Sequence, residues 1–168
     1  ERAIVTRLAA FAEAASAADL DPMLRLAKVT QRRAELPLDA MTALVDVTSD
    51  DAARLLREIA DVWHSLGRGY HAADCYERVL LVSPTDAHAN AALEEFYRSA
   101  GEWSVLLDLL GRRAVHVDTD AERGELFLEM AKIHEHLGDD AGALDSFQQA
   151  NGILPDRPEV LEAIARLA

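Results

Sequence analysis

One block occurs three times in this chain, as IADVWHSLG at residues 59–67, as LEEFYRSAG at residues 93–101 and as MAKIHEHLG at residues 130–138. Each copy carries apolar residues at helical spacing and ends in glycine, which is frequent just past the end of a helix. The ending glycines are 34 residues apart (67 to 101) and 37 apart (101 to 138). A period near 34 residues is typical of solenoids built from helix–turn–helix repeats.

The residues around each glycine indicate how the two helices of a repeat pack. Large side chains stand eight and four places before each glycine, and alanines stand seven before and five after it in the first and third copies. The large residues are Ile59, Trp63, Leu93, Tyr97, Met130 and His134, and the alanines are Ala60, Ala72, Ala131 and Ala143. Residues three and four apart share one helix face, and small residues let two helices approach closely. We therefore predict an all-α fold of antiparallel helix pairs.

Start and stop signals divide the chain from residue 50 onward into seven helices. Asp and Thr residues precede several of them, and glycine or proline follows most of them. A start signal at residues 48–51 opens a helix that ends at residue 66, and further helices are predicted over about 70–82, 86–100, 102–116, 120–137, 140–153 and 159–167. Residues 1–49 also have a helical pattern, as a divergent repeat or a capping region, and no strand pattern occurs.

This pattern resembles the tetratricopeptide repeat over about residues 50–168. The third copy is the clearest, through LGDDAGALDSFQQANGILP at residues 137–155. The middle copy departs from the family's pattern, because Glu94 and Leu106 replace small residues and Asp118 replaces a proline. The resemblance implies an α-α superhelix, a solenoid of antiparallel helix pairs. It divides a single domain of residues 1–168 into N-terminal helices (1–49), three repeats (50–86, 87–120 and 121–157) and a C-terminal helix (158–168).

In that family, the first helices of the pairs line a concave groove that binds partners. The resemblance, carried over position by position, places ten side chains in such a groove: Arg54, Arg57, Asp61, His64, His88, Glu95, Arg98, Glu125, Lys132 and Glu135. The arginines would bind carboxylates, and the acidic residues would bind basic groups. The alternative is a solvated helix face with incidental charges. The family's clamp for the C-terminal carboxylate of chaperones is missing, because Asp61 and Glu95 stand where an Asn is needed.

The charge of the chain favours some classes of partner and disfavours others. The 168 residues include 17 basic and 30 acidic ones, for a formal net charge of −13. This excess of acidic residues disfavours nucleic-acid binding and adhesion to an anionic membrane, and it favours solubility or an acidic docking face.

No apolar stretch is long enough to cross a membrane and no leader is visible, so we expect a cytoplasmic protein. The chain begins at Glu1, which leaves open that it is part of a longer protein, and its Ala, Asp, Leu and Arg bias is compatible with a GC-rich bacterial gene.

No residue pattern indicates catalysis, a cofactor or a metal. His134 and His136 are two apart and therefore lie on different helix faces, with His134 at a core position. His64 and His71 flank the first turn without a carboxylate or thiolate at zinc-ligand spacing. The single cysteine, Cys75, has a register that predicts the packed side of its helix. We therefore expect no enzyme, no cofactor and no metal.

The leading hypothesis is a non-catalytic protein-interaction module or scaffold segment that binds a peptide or helix of a partner protein in the groove. The first alternative is self-association, as a homo-oligomer or by stacking with further repeats through the terminal helix faces. It is suggested by the last helix, whose Val160, Leu161, Ile164 and Leu167 form the apolar face of half a repeat. The second alternative is a regulatory arm of a larger enzyme.

Overall fold

The computed structural model describes residues 51–155 and 157–168, and this part of the chain consists of helices and their connections without a β-strand. The helices are α1 (Ala52–Ser65), α2 (Gly69–Val82), α3 (Ala87–Ala100), α4 (Trp103–His116), α5 (Asp120–Leu137), α6 (Asp140–Ile153) and α7 (Pro158–Leu167). The predicted all-α fold is confirmed, and so is each of these seven predicted helices. The helices predicted for residues 1–49 lie outside the described residues. In the described part, no helix combines the length and the apolar character needed to span a bilayer.

The three block-ending glycines make the turns between the helices of each pair. Their φ angles are 71° (Gly67), 73° (Gly101) and 72° (Gly138). At the first turn, the Arg68 N–H donates to the Trp63 carbonyl at 3.0 Å, and the Gly67 N–H donates to the His64 carbonyl at 2.9 Å. Equivalent bonds close the other two turns. This Schellman motif satisfies the last carbonyls of the first helix and reverses the chain into the second.

The chain divides into two compact units, and the first contains α1, α2 and α3 as far as Phe96. In this unit α1 packs against α2, and the core is formed by Leu56, Ile59, Val62, Ala72, Tyr76 and Val79, all of them buried. The two alanines that were predicted to permit close approach, Ala60 and Ala72, are buried. Trp63 and Cys75 are buried as predicted. The single domain predicted for residues 1–168 stays a prediction.

The second unit comprises Tyr97–Ala168, which holds the end of α3 and helices α4 to α7. Its core cluster consists of Leu128, Ala131, Ala143, Phe147, Ala150, Val160 and Ala163. Phe147 is the largest of these side chains, and burial of a phenylalanine stabilises a fold by about 1.5–3 kcal/mol. Because Val160 and Ala163 belong to α7, the C-terminal helix packs onto the pair formed by α5 and α6. The neighbouring Leu161 is 47% exposed.

The connection between α4 and α5 lacks the proline of the other repeats, and an arginine holds it instead. The Arg123 guanidinium donates to the carbonyls of Ala114 and Val117, each at 3.1 Å, and pairs with Asp120 at 2.7 Å. The Thr119 hydroxyl accepts from the backbone N–H of Glu122 and begins α5. Side-chain hydrogen bonds therefore satisfy the end of α4 where the middle repeat departs from its family's pattern.

Replacing Gly138 with alanine tests the left-handed turn. A Cβ at this φ strains the backbone although the space around it is open, so Gly138→Ala should lower the free energy of unfolding by about 1 kcal/mol. The matched control is Gly152→Ala, in α6 and equally open, which should be neutral or stabilising by up to ~1 kcal/mol. Urea unfolding followed by circular dichroism measures both. Equal effects of the two substitutions would contradict the role of the turn.

Candidate partner-binding face

The ten predicted groove residues lie on α1, α3 and α5, which are the first helices of three pairs. We call the surface that they form within each unit the first-helix face. The structure divides these residues into three groups. Six of them bind side chains of a neighbouring first helix, Arg54 binds acidic residues of its own helical segment, and three are exposed and have no polar partner among the described residues.

In the first unit, two side-chain contacts join α1 to α3. Arg57 of α1 pairs with Asp86 at 3.0 Å, and Oδ1 of Asp61 lies 2.9 Å from Nε2 of His88. Only 9% of the Asp86 side chain is exposed, and its other oxygen accepts from the Ala89 N–H in the first turn of α3. One carboxylate therefore both begins α3 and binds it to α1.

Tyr76 of α2 completes the contacts of Asp61. Its phenolic O–H donates to Oδ1 of Asp61 at 2.6 Å, and its oxygen lies 3.4 Å from Nε2 of His88. Burial raises the pKa of Tyr76, and the hydrogen bond to Asp61 raises it further. The phenol therefore keeps its proton at physiological pH and remains a donor. One oxygen of Asp61 is thus held by side chains from two other helices.

In the second unit, ion pairs join α5 to the end of α3 and to both ends of α7. The pairs are Arg98 with Glu129, Arg157 with Glu125 at 2.5 Å, and Arg166 with Glu135. The two partners of each pair are 31 or 32 residues apart, which is close to one repeat. The pairs therefore connect each first helix to the next and hold the two in register.

The remaining candidates do not bridge between first helices in this way. Arg54 binds two acidic residues of its own helical segment, Asp51 at 3.2 Å and Glu58 at 2.9 Å. The side chains of His64, Glu95 and Lys132 are exposed, and no described residue supplies them with a polar partner. A partner that bound these three side chains would replace none of the polar contacts made within residues 51–155 and 157–168.

The histidines at the third turn occupy structural positions. His134 was predicted at a core position and is half-buried, and its Nδ1 lies 2.8 Å from Oδ2 of Asp139. The other oxygen of Asp139 accepts from the Gly142 N–H at 3.0 Å and begins α6. The ring of His136 lies edge-on to Trp103, with centroids 4.9 Å apart. The contact between His134 and Asp139 thus joins the end of α5 to the start of α6, and the contact between His136 and Trp103 joins α5 to α4.

The first turn does not bring His64 and His71 together. The His71 ring packs against Trp63 with centroids 4.5 Å apart, and His64 is exposed. Within residues 51–155 and 157–168, no group of three His, Cys, Asp or Glu side chains has an arrangement that could hold a metal ion.

The sequence analysis missed the residues that bind the candidate residues, namely Tyr76, Asp86, Glu129, Arg157 and Arg166. A signal for the charged ones is present, because oppositely charged residues recur about one repeat apart: 29 residues for Arg57 and Asp86, and 31 for Arg98 and Glu129. The repeat alignment compares equivalent positions. Equivalent positions are 34 or 37 residues apart, so residues 29 to 32 apart are not compared with one another.

No protein-family model matches this chain, and no curated protein matches it. Similar solved structures include MamA, which is 14% identical over 77% of this chain and 76% of that chain, with a TM-score of 0.47. MamA AMB-1 is 19% identical over 88% of this chain and 77% of that chain, also with a TM-score of 0.47. The APC/C hetero-tetramer Cut9–Hcn1 is 16% identical over 88% of this chain and 29% of that chain, with a TM-score of 0.44. At TM-scores below 0.5, these likenesses support no inference about partners or activity.

Features of the chain's own structure support the resemblance to the tetratricopeptide repeat. Left-handed glycines follow α1, α3 and α5, and buried alanines lie where paired helices meet.

A double-mutant cycle on Arg98 and Glu129 tests the contact between α3 and α5. Both side chains are about half exposed, so the coupling free energy between Arg98→Gln and Glu129→Gln should be about 0.2–1 kcal/mol. It should decrease in high salt, because exposed ion pairs are screened. Urea unfolding of the four proteins gives the coupling energy. A coupling that is insensitive to salt would contradict an exposed ion pair.

Asp139 should make stability depend on pH. The hydrogen bond from Gly142, followed by the contact with His134, lowers the pKa of Asp139 below its ordinary value of 3.8. A carboxyl group with a lowered folded-state pKa stabilises the protein above its unfolded pKa, and this stability is lost as the pH falls through the folded pKa. Asp139→Asn should therefore lower the Tm at neutral pH, and its difference from the parent protein should shrink in acid.

Thermal unfolding from neutral pH into the acid range measures this difference. Asp140→Asn is the matched control, because the Asp140 side chain has no hydrogen-bond partner among the described residues, and it should change the Tm less. A Tm difference for Asp139→Asn that stays constant with pH would exclude the carboxylate as the cause.

Proposed function

We propose that this chain is a non-catalytic protein-interaction segment that binds a peptide or helix of a partner protein on its first-helix face. The observation that carries the proposal is the set of contacts between successive first helices. Five pairs, from Arg57 with Asp86 to Arg166 with Glu135, fix polar side chains on the solvent-exposed first-helix faces of the two units. Glu95 in the first unit and Lys132 in the second are charged and exposed, and no described residue supplies them with a polar partner.

A surface of this kind suits recognition because its side chains are ordered before a partner arrives. Immobilising a flexible side chain on binding costs about 0.5–1.5 kcal/mol, and side chains already held by a neighbour avoid part of this cost. The helices that carry them have buried inner faces, and α1 and α5 pack against the second helices of their pairs. The partner therefore meets a preformed polar surface rather than a flexible loop.

Assembly through the C-terminal helix is a second candidate function, and one observation favours it. Leu161 occupies the repeat position of Leu56 and Asn90, which are buried, and of Phe127, which is half-buried. Leu161 is 47% exposed. Contact with another copy of the chain, or with further repeats, would bury this leucine. The predicted cytoplasmic location and bacterial origin stay predictions.

Site-specific photo-cross-linking in cells tests the proposal. A cross-linking amino acid placed at Glu95 or Lys132 probes the first-helix face of each unit without removing an internal contact. Matched controls carry it at Asp74 of α2 and Gln148 of α6, which are exposed on second helices. We expect cross-links to another protein at the first-helix positions and few at the controls.

The positions at which cross-links form distinguish partner binding from self-assembly. Cross-links that are equally frequent at Asp74 and Gln148, or absent at Glu95 and Lys132, would contradict binding on the first-helix face. Cross-links between copies of the chain at Leu161, with a mass that rises with concentration in light scattering, would support assembly instead.

A further inference from the structure

One carboxylate oxygen joins three helices of the first unit. Oδ1 of Asp61, on α1, accepts the hydrogen bond from Tyr76 of α2 at 2.6 Å and lies 2.9 Å from Nε2 of His88, on α3. The rings of Tyr76 and His88 also meet edge-on, with centroids 5.6 Å apart. His88 therefore contacts the pair formed by α1 and α2 in two ways, through one ring nitrogen and through the ring itself.

The contact with Asp61 determines where the protons of His88 lie. An ionised carboxylate only accepts hydrogen bonds, so Nε2 of His88 carries the proton that is directed at Asp61. Nδ1 has no polar partner among the described residues, and 54% of the His88 side chain is exposed. The ring therefore gains its second proton at Nδ1, from solvent, without breaking the contact with Asp61.

Protonation changes the charge of this contact. Histidine is the side chain whose ordinary pKa puts its change of charge between pH 5 and 8. Above this range a neutral imidazole donates to the Asp61 carboxylate, and below it the same two groups form an ion pair. The phenol of Tyr76 stays neutral throughout, because burial and the hydrogen bond to Asp61 raise its pKa.

The other charged groups at this junction do not titrate in that range. Arg57 and Asp86, which also join α1 to α3, pair with each other at 3.0 Å, and neither an arginine nor an ordinary carboxyl group changes its charge between pH 5 and 8. The first turn of α3 opposes a charge on His88, because the N-terminus of a helix carries partial positive charge. Of the two described contacts between α1 and α3, the one at His88 therefore depends on pH.

We infer that the junction between α1 and α3 is pH-sensitive, and that protonation of His88 at Nδ1 binds α3 more firmly to Asp61 of α1 in weak acid. A histidine that gains a carboxylate partner on folding contributes stability that is present in weak acid and is lost as the pH rises. This junction lies within the first unit, so the inference goes beyond the proposed function and does not depend on a partner.

The described ion pairs of the second unit's first-helix face differ in this respect. Each of them contains an arginine, namely Arg98, Arg157 or Arg166, and an arginine stays charged at every physiological pH. Neighbouring first helices are thus aligned partly by a titrating contact in the first unit and by arginine pairs in the second.

A double-mutant cycle at two pH values tests the inference in the whole chain. Asp61→Asn keeps an oxygen for Tyr76, and His88→Gln keeps a side-chain donor. Urea unfolding of the four proteins gives the coupling as a ratio of unfolding equilibrium constants, and the cycle cancels what each side chain contributes alone, including the effect of the helix N-terminus. This ratio should be about 1.5 to 5 times larger at about pH 5 than at about pH 8, the range for an exposed ion pair.

The matched control is a cycle of Arg57→Gln and Asp86→Asn, which crosses the same two helices. Its coupling should be equal at both pH values, because neither partner titrates between them.

A measurement on the folded protein covers the case in which Asp61→Asn destabilises the unit. The ring signals of Tyr76 in NMR spectra should move between about pH 5 and 8, because the charge of the adjacent His88 ring changes. In His88→Gln, a substitution at an exposed position, the same signals should stay in place.

Either of two results would overturn the inference. A coupling between Asp61 and His88 that is equal at both pH values, or larger at the higher one, would show that protonation does not strengthen the contact. Tyr76 signals that do not move, or that move equally in His88→Gln, would show that the charge of His88 does not reach the junction. Neither result affects the proposed function, which depends on where cross-links form.

Discussion

A left-handed residue at the end of each first helix is the constraint on which the rest of this structure depends. A residue with a Cβ pays roughly 1–2 kcal/mol in this conformation, whereas glycine adopts it freely. Gly67, Gly101 and Gly138 reverse the chain within two or three residues, and in all three pairs the second helix begins two residues after the glycine. The apolar stripes of both helices then meet, and Ile59 and Tyr76 are buried on facing helices of one pair.

The ion pairs between first helices add little to the free energy of unfolding, but they fix the register of one helix against the next. An exposed pair contributes about 0.2–1 kcal/mol, which is less than the burial of one leucine or phenylalanine in the core. Their value lies in register, because a shift of one helix along the next would place Glu129 or Glu135 away from its arginine. The same is true of Asp86, whose carboxylate must reach both Arg57 and the first turn of α3. The hydrophobic core therefore holds the helices together, and the charges fix how they are aligned.

Much of the fold was predictable from the sequence, because its signals are local. Glycines, prolines and capping residues gave the helix ends, and helical spacing gave buried positions such as Trp63 and Cys75. The contacts of the candidate face were not predictable in this way, because they join residues about thirty positions apart on helices of different repeats. The contacts of Asn90 were not predictable either. This residue is buried, and its amide donates to the carbonyls of Pro84 and Asp86 in the preceding connection.

Acidic residues on the first helices therefore have different roles, and composition alone does not reveal them. Glu135 and Asp61 are both acidic residues of a first helix, but an arginine neutralises Glu135, whereas a phenol and an imidazole hold Asp61. A carboxylate bound to an arginine would have to give up a charged partner before it accepted another. Tyr76 is a neutral donor, so it orients the Asp61 carboxylate without adding a charge of its own to the contact. The same type of residue therefore aligns two helices at one position and joins three helices at another.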